Sequence, residues 1–243
     1  MIRLDSGVLL FEHDDWKPIN RVMGNSMNLP VSEVIVHHSY IPNVLCGDTV
    51  AREIESMRGM DRYATVDQKW GGFSYSYAIY QSGHAYVGRG YARTGAHTVG
   101  RNSKSIGICF VTDGSVHELT AAAIAAFTSV ISYLIREFAL TADYTISPHD
   151  LYKNKVCPGA KIKAQLPELL GRVERRWPTL RLGSRGEVVE YLQKFLMDRG
   201  HMWRGHPLGY FGNHTETAVK AFQQAEGLVA DGIVGPNTWS KIP

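Results

Sequence analysis

The sequence has almost no excess charge of either sign. Of 243 residues, 26 are Lys or Arg and 23 are Asp or Glu, a formal net charge of +3. A nucleic-acid-binding face needs dense, clustered bases. Here they occur only as pairs such as Lys161/Lys163 and Arg175/Arg176. No stretch approaches the ~20 consecutive apolar residues of a membrane-spanning helix. The apolar run near the N-terminus, Val8 to Phe11, is followed at once by Glu12, Asp14 and Asp15, unlike a secretory leader. Cysteine is scarce as well: Cys46, Cys109 and Cys157 cannot close a disulfide framework. No His-Glu-x-x-His pair of metal ligands is present, which removes the commonest zinc-peptidase signature.

What remains is an ordinary globular composition, 44% hydrophobic and 20% charged. A break falls near Trp177-Pro178. Residues 1–175 carry 18 basic and 17 acidic side chains and residues 176–243 carry 8 and 6, so neither part is a charged tail. In the first part, Val34 to His38 and Ile106 to Val111 read as buried strands. Tyr75 to Tyr80 and Ala85 to Val87 flank Ser82-Gly83 as a hairpin. Thr49 to Arg58 has helical character. Ile124, Phe127, Ile131, Leu134 and Phe138 recur at spacings of three and four, the inner stripe of a helix starting near Thr120. A short strand is expected around Tyr144 to Ile146. Strands alternating with helices imply an α/β domain with a central mixed β-sheet flanked by helices.

The second part holds an internal repeat. Gly209-Tyr210-Phe211-Gly212-x-x-Thr215 recurs as Gly232-Ile233-Val234-Gly235-x-x-Thr238, each a glycine turn leading into a helix. Val188, Leu192, Phe195 and Leu196 form one apolar face, and Val219 with Phe222 another. The expectation is a small all-α domain that binds or supports rather than catalyses.

Candidate chemistry gathers around Cys157. His149 and Cys157 are separated by seven intervening residues across a loop, and the strand ending His37-His38 offers a further imidazole. Thiolate and imidazole are the ligands zinc favours, and a catalytic site uses three with one position open. Adjacent strand residues face opposite sides of a sheet, so only one of His37 and His38 can join such a set. Periodicity does not choose between them. His84, His117, His201, His206 and His214 fall in no pattern that assigns them a role.

Four separated motifs occur in a distinctive order: Val36-His37-His38-Ser39; Tyr86-Val87-Gly88-Arg89-Gly90-Tyr91; Gly95-Ala96-His97-Thr98-x-Gly100-x-Asn102-x-x-Ser105-Ile106-Gly107-Ile108; and His149 with Lys155-x-Cys157-Pro158-Gly159. Over roughly residues 30–170 the chain resembles the peptidoglycan recognition proteins and the type 2 zinc amidases, phage lytic enzymes among them. Over about 180–242, Leu182-Gly183-Ser184-Arg185-Gly186, Leu192-Gln193, the glycine-turn repeat and Phe222-Gln223 resemble the peptidoglycan-binding domain 1 family.

The resemblance implies a catalytic domain over 1–175 and a small three-helix wall-binding domain over 179–243. It implies Zn²⁺ held by His37, His149 and Cys157, and hydrolysis of the amide between N-acetylmuramic acid and L-alanine of the stem peptide. Receptors that only bind the wall typically lack the cysteine, which argues for an enzyme. Tyr75, placed by the Trp70-x4-Tyr75 spacing, and Lys155 are the implied catalytic side chains, for water or proton handling and for the oxyanion. The residues before Tyr75, Gly72-Phe73-Ser74, depart from the family's usual Asp-Ile-Gly. His97, Asn102 and Trp70 are the implied substrate contacts. The expected partner is bacterial peptidoglycan, met by a monomeric chain without nucleic acid or membrane insertion. The expected route is synthesis in the cytoplasm and release to the wall through a separate pore.

Overall fold

A computed structural model describes residues 1–4, 7–21, 23–39, 49–137, 139–153, 156–172 and 177–242. Cys46, Phe138 and Lys155 therefore lie outside the described residues. The chain divides near residue 175 into two compact units, and each is described by itself.

The first unit is built on a mixed sheet. Its strands are β1 (Ile2–Arg3), β2 (Leu9–Phe11), β3 (Val31–His38), β4 (Tyr77–Ile79), β5 (Ala85–Val87), β6 (Ile106–Phe110) and β7 (Leu140–Pro148). Their order across the sheet is β1-β2-β5-β4-β6-β3-β7. β3 runs between β6 and β7, parallel to both. This central position explains why Val34, Ile35 and Val36 read as a continuous apolar run: all three are fully buried. β4 and β5 form the expected antiparallel hairpin.

Helices α1 (His13–Trp16), α2 (Val50–Arg62), α3 (Ala121–Arg136) and α4 (Ala160–Arg172) flank the sheet. Thr120 caps α3 by accepting the backbone N–H of Ala123, and the apolar stripe lies buried from Ile124 to Leu134. α2 extends past the expected end at Arg58 and passes into a π-helical turn, Tyr63–Asp67.

Two buried charges tie the layers together. Glu53 of α2 accepts from Ser82, from Tyr86 and from His84 Nδ1 at 2.8 Å, fastening α2 to the β4–β5 hairpin. His84, without a role in the sequence reading, is thus the partner of a buried acid. Glu33 of β3 accepts two hydrogen bonds from Arg101, at 2.6 and 3.0 Å, and one from the Tyr152 hydroxyl. Such forked, charge-assisted pairs hold geometry well. Here they fix the turn after His97 and the loop after His149 to the same strand.

The second unit is helical: α5 (Glu187–Asp198), α6 (Asn213–Ala225) and the short α7 (Pro236–Trp239). Its repeat has a structural basis in two glutamines. Gln193 of α5 donates to the Tyr210 carbonyl and to Thr215 Oγ1, while its own oxygen accepts from Gly209 N–H. Gln223 of α6 makes the same set with Ile233, Thr238 and Gly232. Each amide satisfies a turn's backbone from within the preceding helix, so both glutamines are buried without cost in unmade hydrogen bonds.

Candidate metal centre and groove

The site lies at the ends of parallel strands β3 and β6. His37 and His38, neighbours on β3, serve opposite faces. His37 is 1% exposed and its ring centroid lies 4.4 Å from that of His149 and 5.1 Å from that of Tyr75. His38 points the other way, where its Nδ1 accepts from Gly114 N–H at 2.9 Å. The side of β3 facing Cys157 is therefore the His37 side.

The loop bearing Cys157 is seated by backbone contact. Gly159 (φ +89°) lies so close to Gly114 that a Cβ on Gly159 would come within 2.2 Å of Gly114 C. Lys161 N–H donates to the Gly114 carbonyl at 2.9 Å. The Cys157 carbonyl accepts from Asp150 N–H at 2.8 Å, so the loop is also pinned to the 3-10 turn that carries His149. Two elements remote in sequence thus converge on His37.

One donor atom from each of His37, His149 and Cys157 falls within 4.8 Å of the others. Cys157 Sγ lies 3.6 Å from His37 Nδ1. Zinc bonds of ~2.3 Å to sulfur and ~2.0–2.1 Å to nitrogen, at a tetrahedral angle, put such a pair of donors about 3.6 Å apart. The donor set also fits in kind. Burial, then the neighbouring His97, His149 and His38 imidazoles, holds the His37 pKa well below the usual histidine value. Neutral imidazole is the form a metal requires. The His38 backbone N–H lies 3.4 Å from Cys157 Sγ, a donor aimed at the sulfur.

His97 stands behind the set. Its Nδ1 lies 3.1 Å from His37 Nε2 and 3.1 Å from Thr98 Oγ1. Burial, then His149, pushes its pKa down to about 3, with the Ser105 carbonyl working against them. The ring occupies space left by two glycines: a Cβ on Gly95 or Gly107 would fall 2.2 or 2.5 Å from it. Gly95 and Gly107 of the motif are thus explained by what they admit. Asn102 Oδ1 accepts from the backbone N–H of His97 and Thr98, at 2.9 and 2.8 Å, and so shapes their turn.

A cavity of about 520 Å³ opens over these side chains and is lined by His37, His97, His149 and Cys157 with Tyr75 and Trp70. Asn102 is outside that lining. A second cavity, about 350 Å³, shares Trp70 and Tyr75 and adds Tyr63, Met60 and Phe73. Tyr63, from the π-helical turn, meets Trp70 edge-to-face at 6.4 Å. The sequence reading missed Tyr63, because an exposed aromatic at a helix end carries no motif. Burial, then the Cys109 and Cys157 thiols, raises the Tyr75 pKa well above the usual value, so its hydroxyl keeps its proton.

The unusual Gly72-Phe73-Ser74 before Tyr75 is held by Arg89. Its guanidinium donates to the carbonyls of Phe73, Trp70 and Thr94 at 2.6, 2.8 and 3.0 Å. Ala96 N–H further donates to the Ser74 carbonyl. Gly72 needs its own geometry: φ is +144°, and a Cβ would lie 2.4 Å from Met23.

The family model for N-acetylmuramoyl-L-alanine amidase matches residues 27–160, more than half of the chain, and covers every strand and loop that builds this centre. The chain belongs to the N-acetylmuramoyl-L-alanine amidase family. A model of a putative peptidoglycan binding domain matches residues 185–242. This amidase-family chain is 33% identical over 153 residues to human N-acetylmuramoyl-L-alanine amidase, covering 63% of this chain and 25% of that one. It therefore spans about a quarter of the length of that relative. It is 28% identical to the peptidoglycan-recognition protein LB of Drosophila melanogaster, over 65% of this chain and 67% of that one. The solved structure of wild-type Drosophila recognition protein LB superposes with a TM-score of 0.63 at 25% identity, covering 69% of this chain and 97% of that one. A variant of that protein, solved in complex with tracheal cytotoxin, gives 0.61 at 26% identity, over 65% of this chain and 92% of that one. The mixed sheet flanked by helices is the fold these proteins share.

Proposed function

We propose that the chain is a zinc-dependent N-acetylmuramoyl-L-alanine amidase that cuts the bond between N-acetylmuramic acid and L-alanine of the stem peptide and so lyses cell walls. In this reading residues 1–175 form the catalytic domain and 179–243 anchor it to peptidoglycan. The observation that carries it is the convergence of His37, His149 and Cys157 at the floor of a groove large enough for a muramyl peptide. Recognition without catalysis needs the groove but not a thiol facing two imidazoles.

Held by His37, His149 and Cys157, Zn²⁺ would supply a Lewis acid for the scissile carbonyl and a water of lowered pKa. A thiolate ligand donates more charge than an imidazole, which makes help from neighbouring side chains necessary. Tyr75, protonated and beside His37, is placed to orient the attacking water and pass a proton toward the leaving amine. Lys155 takes the oxyanion role on the strength of its position two residues before Cys157. Trp70 lines the groove wall, where its exposed indole contacts substrate, and the apolar annex around Tyr63 and Met60 extends that wall.

The test is digestion of purified peptidoglycan with and without a chelator, followed by mass spectrometry of the soluble products. An amidase releases intact stem peptides with a free L-alanine amine, and zinc restores the activity a chelator removes. Stem peptides cut internally would mean a peptidase, and no release at any zinc level would mean a receptor.

A further inference from the structure

We propose that the helical unit contains a saccharide-binding site built from Trp203, His206 and His214, and that its ligand is the neutral N-acetylated hexosamine of the glycan strand rather than the stem peptide. The proposal rests on the wall-anchoring reading of residues 179–243 and names what that anchor reads.

A cavity of about 470 Å³ lies between the turn after α5 and the face of α6. This is within the ~300–1,000 Å³ range of small-ligand sites. Trp203 is 69% exposed, far more than a structural indole needs to be. A Cβ on Gly205 (φ +103°) would sit in ordinary van der Waals contact with its ring at 3.5 Å, and the His206 ring lies 6.3 Å away at a steep angle. An indole this exposed offers a flat apolar surface on which the C–H groups of a pyranose pack.

The polar groups around that surface are the imidazoles of His201, His206 and His214 and the hydroxyl of Thr217. His206 and His214 lie 5.5 Å apart between ring centroids. Ring nitrogens and a hydroxyl are hydrogen-bonding partners for sugar hydroxyls and an acetamido group. The floor is the α6 face of His214, Thr217, Ala218 and Ala221, spaced at three and four residues, with small side chains that leave a shallow trough.

The lining also decides against other ligands. Among the described residues, no Lys, Arg, Asp or Glu lines the cavity. A stem peptide carries carboxylates, and carboxylates are recognised by charged or forked donors. A zinc-type metal site calls for three or four converging ligands. Among the described residues, a set of three or more potential metal ligands forms only at His37, His149 and Cys157.

The experiment uses the full chain. Wild type, Trp203→Ala, His214→Ala and the control Val229→Ser, an exposed apolar site elsewhere on the unit, are pelleted briefly at 4 °C with purified peptidoglycan sacculi. They are then titrated calorimetrically with an N-acetylglucosamine tetramer and, separately, with free stem tripeptide. The expected result is that wild type and Val229→Ser bind sacculi and tetramer alike. Trp203→Ala should bind the tetramer at least tenfold more weakly, and His214→Ala should be weakened in the same direction. Because Trp203 is exposed, its loss leaves the melting temperature unchanged, which separates lost binding from lost folding. Equal tetramer affinity in wild type and Trp203→Ala overturns the site. So does pelleting of wild type with tripeptide binding in place of tetramer binding. A wild type that fails to pellet with sacculi overturns the anchoring reading itself, and the site with it.

Discussion

His97 Nδ1 faces His37 Nε2 across 3.1 Å, while the opposite nitrogen of His37 faces the sulfur of Cys157. With Nδ1 kept unprotonated for a metal, His37 would carry its proton on Nε2 and donate it to His97. Groups that hold the far nitrogen of a metal-ligating histidine orient the ring and raise its basicity, and their loss typically costs ~10–100-fold in metal affinity. His97→Ala is therefore expected to weaken zinc binding by about that factor, read by competition with a chromophoric chelator. Gly107→Ala, whose added methyl would fall 2.5 Å from the same ring, should act in the same direction. Unchanged affinity in both variants would reduce His97 to a packing residue.

Cys157 and Lys155 should fail in different ways. Cys157→Ala removes a ligand, so both bound zinc and hydrolysis are lost while sacculi are still bound through the helical unit. Lys155→Ala should keep its zinc. Its turnover should fall by ~10²–10³, the usual effect of removing a preorganised oxyanion donor. Metal content by atomic absorption beside initial rates separates the two. Full turnover in Lys155→Ala would remove it from the mechanism.

Arg89 is a test of how the segment before Tyr75 is held. Hydrogen bonds to a charged group contribute ~1.5–3 kcal/mol each, and the guanidinium makes three of 3.0 Å or less. Arg89→Met is expected to destabilise the catalytic unit by about 3 kcal/mol or more and to lower activity through displacement of Tyr75. Arg89→Lys should rescue little, since one ammonium cannot span the same carbonyls. Urea denaturation of the full chain, followed by near-ultraviolet circular dichroism, measures it.

Acid should destabilise the metal-free protein well above the carboxylate range. Burial above all pushes the His97 pKa down to about 3 in the folded chain, from 6.5 for an ordinary histidine. His37 is lowered in the same sense. Between these values the unfolded chain binds more protons than the folded one, so stability is intact above pH 6.5 and declines as the pH falls below it. Each histidine contributes a slope of at most about 1.4 kcal/mol per pH unit. A series of unfolding curves in chelator from pH 7.5 to 5 should show the decline. A flat profile over that range would mean the rings are protonated as readily in the folded state.

Much of the fold was legible in local pattern. The Ile124 to Leu134 stripe, the helix start near Thr120 and the Ser82-Gly83 hairpin each depend on residues within a few positions of one another, and each formed as read. The π-helical extension of α2 was not legible, because Tyr63 to Asp67 carries no stop signal of its own. The candidate site was legible only as residue types in a family's order. His97, implied as a substrate contact, is buried beside His37 and also lines the cavity over the site. Asn102, read the same way, holds a turn.

The sequence by itself determined which chemistry was available: one thiol with imidazoles in ordered motifs, a chain with no dominant charge, and a repeated glycine turn after each Leu-Gln or Phe-Gln pair. Tertiary structure decided how those groups meet. His37 and Cys157 are 120 residues apart, and no local period relates them. The parallel register of β3 with β6 and β7, the Gly114–Gly159 contact and the space left by Gly95 and Gly107 choose His37 over His38 and set His97 behind it. Those choices rest on backbones approaching within van der Waals distance, a property of the packed chain that no stretch of sequence contains alone.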